Sequence, residues 1–139
     1  MSIDRRRIAI IVDPTLAPGL LANTVAVIGI GLGAVCPELG GALLVDHVGR
    51  SIHTTANRPV PVLQASKDTI RQLLLKALPP PTEAFVIAFP QFARSLHTFA
   101  DYEAQFPSRN IAEESVEGVG LIGLEKWLRS LTGNLKLLR

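Results

Sequence analysis

The sequence predicts a single α/β domain in which helices cover both faces of a sheet. Short aliphatic runs that suit buried strands alternate with longer segments of helical periodicity, in the order β-α-β-α-β-α-β-α. The chain has 139 residues, 47% of them hydrophobic and 19% charged, which is the size and composition of one globular domain. No linker, repeat or low-complexity tract divides the sequence, so residues 1–139 are predicted to fold as one unit.

The first strand and helix are predicted from residues 7–36. The run over residues 7–12 is continuously aliphatic, as in strands buried on both faces, and Asp13 follows it. Pro18 then opens an apolar segment that Cys36 closes. One face of this helix carries only small residues: Ala22, Ala26, Gly29 and Gly33. We expect that stripe to pack closely against the sheet, and we expect a buried helix and no membrane span, because the apolar run is shorter than roughly 18 residues.

The middle of the chain predicts a hairpin, a strand and an amphipathic helix. Residues 43–46 and 50–55 flank a turn at Gly49. Residues 60–64 form the next strand, and the prolines near its start indicate an edge or a strand entry. Ser66 is a good N-cap for a helix over residues 67–78. The inward face of that helix is predicted to hold Ile70, Leu73, Leu74 and Ala77.

The last third of the chain predicts two strands, two helices and an apolar tail. Residues 84–89 form the third core strand and residues 91–106 the next helix. Residues 116–122 form a glycine-rich fourth strand, and a short helix over residues 125–131 follows it. The tail at residues 135–138 is expected to pack back on the body of the domain.

Charge and cysteine content narrow the function classes. The formal net charge of +2 is too small to indicate nucleic-acid binding by itself. Basic residues cluster at the two ends of the chain: Arg5, Arg6 and Arg7, and then Lys126, Arg129, Lys136 and Arg139. They form either a modest basic patch open to RNA, if the ends meet, or solvated surface. The one cysteine, Cys36, allows no intramolecular disulfide, which favours the cytoplasm.

Two C-terminal stretches resemble the type II peptidyl-tRNA hydrolases. Residues 118–123 and 131–138 are similar to the strand and the Thr-Gly-x-Leu-Lys-Leu tail that end those enzymes. A bacterial family of unknown function within the same superfamily is the closer match. Its typical features stand here as Asp13-Pro-x-Leu-x-Pro-Gly19, Ala22-Asn23, Asp46-His-x-Gly49 with His53, Pro59-Val-Pro-Val-Leu63 and the run from Leu131 to Arg139.

The resemblance implies a fold and an assembly but not the hydrolase activity. It implies a three-layer α/β/α fold around a mixed, mostly parallel four-stranded sheet whose last strand is antiparallel, and a homodimer. The sequence departs from the enzymes at two positions. Gly19-Leu20 stands where they have a Gly-Lys pair with an active-site lysine. Ala88-Phe-Pro-Gln91 stands where they have Asp-Ala-Gly-x-Thr-Gln, so the helix at 91–106 is then an insertion.

Asp13 and Asn23 are the leading candidate site residues. Asp13 ends the first strand, and ligands of open α/β sheets bind beyond the carboxyl ends of strands. Asn23 follows about one turn into the next helix and can reach the same crevice. The structural alternative is that Asp13 caps the turn and Asn23 bonds to backbone groups.

Other candidates are more scattered. His47 and His53 flank the Gly49 turn beside Asp46, and they serve either as a base or as exposed loop residues. Their spacing fits no recognised metal site. Lys136 could contact a phosphate or face solvent. Cys36 has no visible base and is expected to pack in the core. We predict no cofactor and no metal.

Three functions therefore remain open. The first is a module that binds a small or nucleotide-like ligand through Asp13, Asn23, Asp46 and Lys136. The second is a hydrolase of ester or amide bonds, perhaps RNA-linked in its substrate, whose catalytic group is drawn from Asp13, His47 and His53. The third is a homodimeric interaction protein.

Overall fold

A computed structural model describes residues 4–139 and contains two sheets and five helices over that range. The strands are β1 (Arg7–Val12), β2 (Leu44–Val45), β3 (Ser51–Ile52), β4 (Val62–Gln64), β5 (Phe85–Pro90), β6 (Val116–Gly123) and β7 (Lys136–Leu137). The helices are α1 (Pro18–Val35), α2 (Lys67–Ala77), α3 (Gln91–Arg94), α4 (Phe99–Gln105) and α5 (Glu125–Thr132). Five strands form a mixed sheet in the order β5-β6-β1-β4-β7, and β2 and β3 form a separate hairpin.

The main sheet has one strand more than the four-stranded, mostly parallel sheet that was expected. Strand β6 is antiparallel to both of its neighbours, β1 and β5, so β1, β4 and β5 run in one direction and β6 in the other. Only β1 and β4 form a parallel neighbouring pair, because β6 lies between β1 and β5. The tail adds a fifth strand, β7, antiparallel to β4. The mixed α/β class is confirmed, and the count of four strands is wrong.

Helices cover both faces of this sheet. On one face Ile28 and Leu32 of α1 pack against the β1 side chains Ile8, Ile10 and Val12. On the other face α2 and α5 cover a cluster that includes Ala9, Ile11, Val119, Leu121 and Leu128. Successive strand residues point to opposite faces, so an uninterrupted aliphatic run supplies both clusters at once.

Helix α2 follows the prediction closely. The Ser66 hydroxyl accepts a hydrogen bond from the Thr69 backbone N–H at 3.2 Å, which caps the helix. All four residues expected on its inward face are buried: Ile70, Leu73, Leu74 and Ala77. This helix is predictable from sequence because its N-cap residue and its hydrophobic periodicity indicate the same segment.

The packing face of α1 is opposite to the one expected. Ala22 and Ala26 are exposed, and a Cβ built at Gly29 or Gly33 would meet no atom within 4 Å. The face that meets the sheet holds Thr24, Ile28 and Leu32. Close approach depends on glycines of β6, since a Cβ at Gly118 would lie 2.7 Å from Cγ2 of Thr24. The expectation was wrong because periodicity identifies a helix face but not the partner of that face.

Helix α1 is also less buried than expected. It is long and apolar enough to pass for a membrane span, yet only 17% of it is buried. One such helix is weak evidence for a membrane span, since mostly buried core helices of soluble proteins and signal sequences near an N-terminus pass the same test. The chain otherwise has the layout of a soluble α/β domain.

The predicted helix over residues 91–106 is two helices separated by a break. Helix α3 ends at Ser95, whose backbone N–H bonds to the carbonyl of Phe92. Thr98 starts α4, because its hydroxyl accepts from the backbone N–H of Asp101 at 3.1 Å. The rings of Phe92 and Tyr102 lie 5.5 Å apart and hold the two helices together. The prediction of one helix rested on the hydrophobic period, which does not detect the N-cap at Thr98.

Candidate functional site

Three strands end at one edge of the main sheet, which we call the carboxyl edge. Strands β1, β4 and β5 run toward it, and β6 starts from it. The register places one row of residues there: Phe89, Gly118, Val12, Gln64 and Lys136, in order across the sheet. Ligands of open α/β sheets bind beyond such an edge. The segments that follow the three strands therefore supply the candidate site.

Asp13 lies at the carboxyl edge and is only 3% exposed. Its Oδ1 accepts hydrogen bonds from the backbone N–H of Thr15 at 2.9 Å and from the Thr15 hydroxyl at 2.7 Å. Its Oδ2 lies 3.8 Å from Nζ of Lys67, the first residue of α2. The turn-capping role is therefore present, and the second oxygen of the carboxylate faces a cation.

A second buried carboxylate, Glu117, lies beside Asp13 on the neighbouring strand. It is 3% exposed, and its backbone carbonyl accepts from the Asp13 N–H at 3.2 Å. Arg94 of α3 binds its Oε2 through Nε at 2.7 Å and through Nη2 at 2.6 Å. Two short bonds from one guanidinium to a buried carboxylate form a strong, directional pair.

Arg94 also holds the start of α1. Its Nη2 donates to the Thr24 hydroxyl at 2.5 Å and to the Leu20 carbonyl at 3.4 Å, and its Nη1 donates to Oδ1 of Asn23 at 3.2 Å. The donors of the guanidinium are thus nearly all used by the protein. Asn23 reaches the carboxyl edge as expected, but it does so as a partner of Arg94. Asp13 and Asn23 are joined through the Glu117–Arg94 pair.

Sequence reasoning missed Glu117 and Arg94. The signal for Glu117 was present, because it is the one charged residue in the aliphatic run of β6. A lone carboxylate in a buried strand requires a partner, since an unpaired buried charge is very costly. The identity of that partner was not available from the sequence, because Arg94 lies in a segment expected to be a longer helix.

A cleft of about 560 Å³ opens beside this pair. Leu20 of α1 and Gln91, which directly follows β5, both line it. The remaining lining residues are Phe92, Arg94, Ser95, Glu114, Ser115 and Glu117. Two of its eight lining residues, Leu20 and Phe92, are apolar, and the other six are polar or charged.

The remaining sequence candidates divide between two places. Lys136 is exposed and in register with Gln64, so it lies at the carboxyl edge two strands from β1. Asp46, His47 and His53 lie in the separate β2–β3 hairpin, outside that edge. Both histidines are exposed. Within residues 4–139 no group of His, Cys, Asp and Glu side chains could hold a metal ion.

Asp46 organises the hairpin turn. Its Oδ1 accepts from the backbone N–H groups of Val48 at 3.0 Å and Arg50 at 2.9 Å, and its Oδ2 accepts from Nε of Arg50 at 2.7 Å. These bonds lower the pKa of the Asp46 carboxyl, and the bond from the Arg50 backbone N–H contributes most. The contacts of Asp46 are all local, so its role in the structure is to build the turn.

The basic residues near the ends of the chain meet only in part, at the edge opposite the carboxyl edge. Arg7 lies 3.4 Å from Glu125, which also binds Arg129 at 2.6 Å. Arg6 forms ion pairs with Asp4 and Glu38. Its side-chain hydrogen bonds to Asp4 keep the pKa of that carboxyl well below its usual range. A cavity of about 620 Å³ lies there, but carboxylates already pair with most of its arginines. Lys136 lies at the other edge, so one shared basic patch does not form.

Cys36 ends α1 as a buried core residue. Its Sγ lies 3.7 Å from Nη1 of Arg6, and burial raises the pKa of the thiol. A buried thiol that stays protonated is a poor nucleophile. The geometry fits the packing role expected from sequence.

Comparison with known proteins gives a family and a fold. Residues 6–139 match the family described as Protein of unknown function (DUF2000). A solved structure titled as a protein of unknown function, Atu0240 from Agrobacterium tumefaciens strain C58, matches with a TM-score of 0.87 and 19% sequence identity. The match covers 97% of this chain and 98% of that one, and at this identity it shows the fold alone. No functionally curated protein matches the sequence. Because the family match spans almost the whole chain, the protein belongs to the DUF2000 family.

Proposed function

We propose that this protein binds a small ligand with an anionic group at the carboxyl edge. The observation that carries the proposal is the pair of Lys67 and the buried Asp13. Their charged atoms are 3.8 Å apart, beyond hydrogen-bond distance, and the Lys67 side chain is 41% exposed. Its ammonium donors are therefore free to face a ligand while Asp13 holds the charge in place.

Two ion pairs at this edge cancel each other's charge, and Lys136 leaves one net positive charge there. The Arg94 guanidinium neutralises Glu117, and Lys67 neutralises Asp13. Lys136 adds a further cation two strands away, at a Cα separation of about 10 Å from β1 given the usual strand spacing. A phosphate-bearing ligand that contacts Lys67 and Lys136 together would lie across the ends of β4 and β7.

The test uses thermal unfolding with inorganic phosphate, a nucleoside monophosphate and the nucleoside without its phosphate. Ligand at a hundred times its dissociation constant stabilises the fold by about 2.7 kcal/mol. We expect the phosphate-bearing probes to raise the melting temperature and the nucleoside alone to do so less. Lys67→Met removes the effect, and Lys76→Met, in the last turn of the same helix, keeps it. Equal responses of the two variants would contradict the site.

We propose a second function, hydrolysis of an ester or amide bond, on a different observation. The Thr15 hydroxyl donates to the Asp13 carboxylate at 2.7 Å, which is the geometry of a nucleophile and its base. In that reaction the Thr15 oxygen attacks the acyl carbon and the Asp13 carboxylate takes the hydroxyl proton. The proton then passes to the departing alcohol or amine, and water releases the acyl group.

A panel of model esters and aminoacyl-RNA esters tests this second proposal. Turnover that is lost in Thr15→Val and in Asp13→Asn, and retained in Thr15→Ser, supports it. Turnover in Thr15→Val at the rate of the unsubstituted protein rules out Thr15 as the nucleophile. Absence of turnover on every ester would rule out hydrolysis at this edge.

We also propose that the family is a branch of the peptidyl-tRNA hydrolase II-like superfamily and that this member is a bacterial, cytoplasmic protein. Support for the three-layer fold comes from the direction of the four longer strands, with β6 opposed to β1, β4 and β5. Support for the compartment comes from the one buried cysteine. Superposition on a solved hydrolase of that superfamily tests the fold, and a different strand order would contradict it.

A further inference from the structure

An apolar arm projects from the domain between α1 and β4. We define the arm as residues 40–57, which contain the β2–β3 hairpin and are exposed along nearly their whole length. It presents five large aliphatic side chains with 54–65% of their surface exposed: Leu43, Leu44, Val45, Val48 and Ile52. Leu44 and Ile52 are register partners, so they lie on the same face of the hairpin.

The arm is a built structure. Four hydrogen bonds converge on Asp46 at its tip, counting the one from the Gly49 N–H to the Asp46 carbonyl. At its base the Asn57 amide donates to the carbonyls of Glu38 and Gly40, and the Gly41 N–H donates to the Thr54 hydroxyl. An isolated two-stranded hairpin is marginally stable in water. Exposed apolar patches of this kind mark interaction surfaces.

The outward side of α1 is a second uncovered apolar surface, directly before the arm in the chain. Helix α1 has no charged residue. Its solvent side exposes Val27, Ile30 and Val35 by 40%, 75% and 42%, together with Ala22 and Ala26. A surface helix normally has a polar outer face, and a helix that is apolar all round is normally covered on all sides.

We propose that a second copy of this chain covers the arm and the outward side of α1 in a two-fold symmetric dimer. In such a dimer each surface occurs twice, so the eight large aliphatic side chains of one copy meet the same set on the other. The exposed surface of these eight side chains is comparable with the roughly 800 Å² per partner that stable interfaces bury. The small side chains of α1 leave shallow spaces that protruding residues of the arm can fill.

The distribution of charge favours a protein surface over a lipid surface. Helix α1 has no lysine or arginine, and the arm has one, Arg50, which is paired with Asp46. Helices that lie on membranes carry basic residues on the polar face or at the flanks. Asp13 and Glu38 flank α1 instead. The uncharged centre with charges at its rim, such as Asp46 and Arg50 at the arm tip, is the composition of a protein interface.

Analytical ultracentrifugation over a wide concentration range tests the proposal. We expect a monomer–dimer equilibrium whose dissociation constant rises at least about tenfold in Ile52→Asp and in Ile30→Asp, because a buried charge at an interface centre is costly. Matched controls are Leu124→Asp and Phe99→Asp, whose parent side chains are 62% and 74% exposed but lie outside both surfaces. These controls should dimerise as the unsubstituted protein does.

Three results would overturn the proposal. They are a monomer at every concentration, a dimer equally weakened by the control substitutions, and a dimer unaffected by Ile52→Asp and Ile30→Asp. Thermal melting of each variant confirms that it is folded, which is expected because all four positions are exposed. Binding to vesicles of anionic lipid by the unsubstituted protein, lost in Ile30→Asp, would assign the surface to a membrane instead. The proposal is independent of ligand binding at the carboxyl edge.

Discussion

Helix α1 and strand β6 pack against each other, and both are rich in glycine, but they use glycine in opposite ways. A Cβ at Gly120 of β6 would overlap Cγ2 of Ile28, and one at Gly118 would lie 2.7 Å from Thr24. A Cβ at Gly29 or Gly33 of α1 would touch nothing. Strand β6 therefore needs Gly118 and Gly120 for the helix to approach, whereas Gly29 and Gly33 of the helix face open space.

The close packing between α1 and the sheet is therefore set by the glycines of the sheet. Each glycine in the helix costs up to about 1 kcal/mol relative to alanine, and at Gly29 and Gly33 no contact within one chain compensates for that cost. Two arginine contacts fix the helix in place. Arg94 binds its first turns to β6, and Arg6 binds Glu38 just beyond its last turn.

The largest expected effect comes from breaking the link between β6 and α1. Arg94→Met leaves Glu117 buried without its partner, and loss of one member of a buried ion pair typically costs about 3–5 kcal/mol. Urea unfolding measures the change in the free energy of unfolding. Arg71→Met, which removes a surface pair with Asp68, is the control and should cost no more than about 1 kcal/mol.

The double variant Arg94→Met with Glu117→Gln separates two explanations of that loss. Replacing the carboxylate by a neutral amide removes the unpaired charge, so we expect part of the stability to return. No recovery at all would mean that the contacts of Arg94 with α1, rather than the charge of Glu117, account for the loss.

The next effect tests the need for glycine in β6. Gly120→Ala forces Ile28 or the backbone to move in a fully buried layer, and such overpacking typically costs about 1–3 kcal/mol. A lower denaturation midpoint at unchanged slope is the expected result. An unchanged midpoint would show that α1 can shift away from β6 freely, contrary to the comparison.

The opposite sign is expected for the helix. Gly29→Ala should raise the free energy of unfolding by up to about 1 kcal/mol, because alanine favours the helix and the added methyl group has open space. The matched position is Gly31, whose Cβ would lie 3.4 Å from Ile87, so Gly31→Ala should gain less. A loss of stability in Gly29→Ala would mean that the outward side of α1 is more tightly packed than in the single chain.

The smallest effect is a pH dependence at the Arg6 end of α1. Hydrogen bonds from Arg6 lower the pKa of Asp4, so the folded state favours the carboxylate. The resulting stability is present above the unfolded pKa, about 3.9, and is lost as the pH falls below it. As the pH is lowered from 6, the melting temperature should fall less steeply in Asp4→Asn than in the unsubstituted protein. The difference between the two slopes should be small, because the ion pair is partly exposed. Identical slopes would contradict a role for Asp4.

The sequence by itself determined the parts of this protein that depend on neighbouring residues. Ser66 before an amphipathic period set α2, and the aliphatic runs set β1 and β6, whereas the apolar tail was expected only to pack on the domain and not to form β7. The position of Asp13 at the end of a strand was sufficient to locate the carboxyl edge. Each of these features follows from local propensity or from a period that neighbours in sequence share.

The tertiary structure alone decided which surfaces meet. Helical periodicity could not tell that Thr24 and Ile28, rather than the small-residue stripe, would face the sheet. The pairing of Arg94 with Glu117 depends on β6 lying between β5 and β1, which brings together residues that are distant in sequence. The physical reason is that a face or a charge is a property of one segment, whereas its partner is a property of the whole fold.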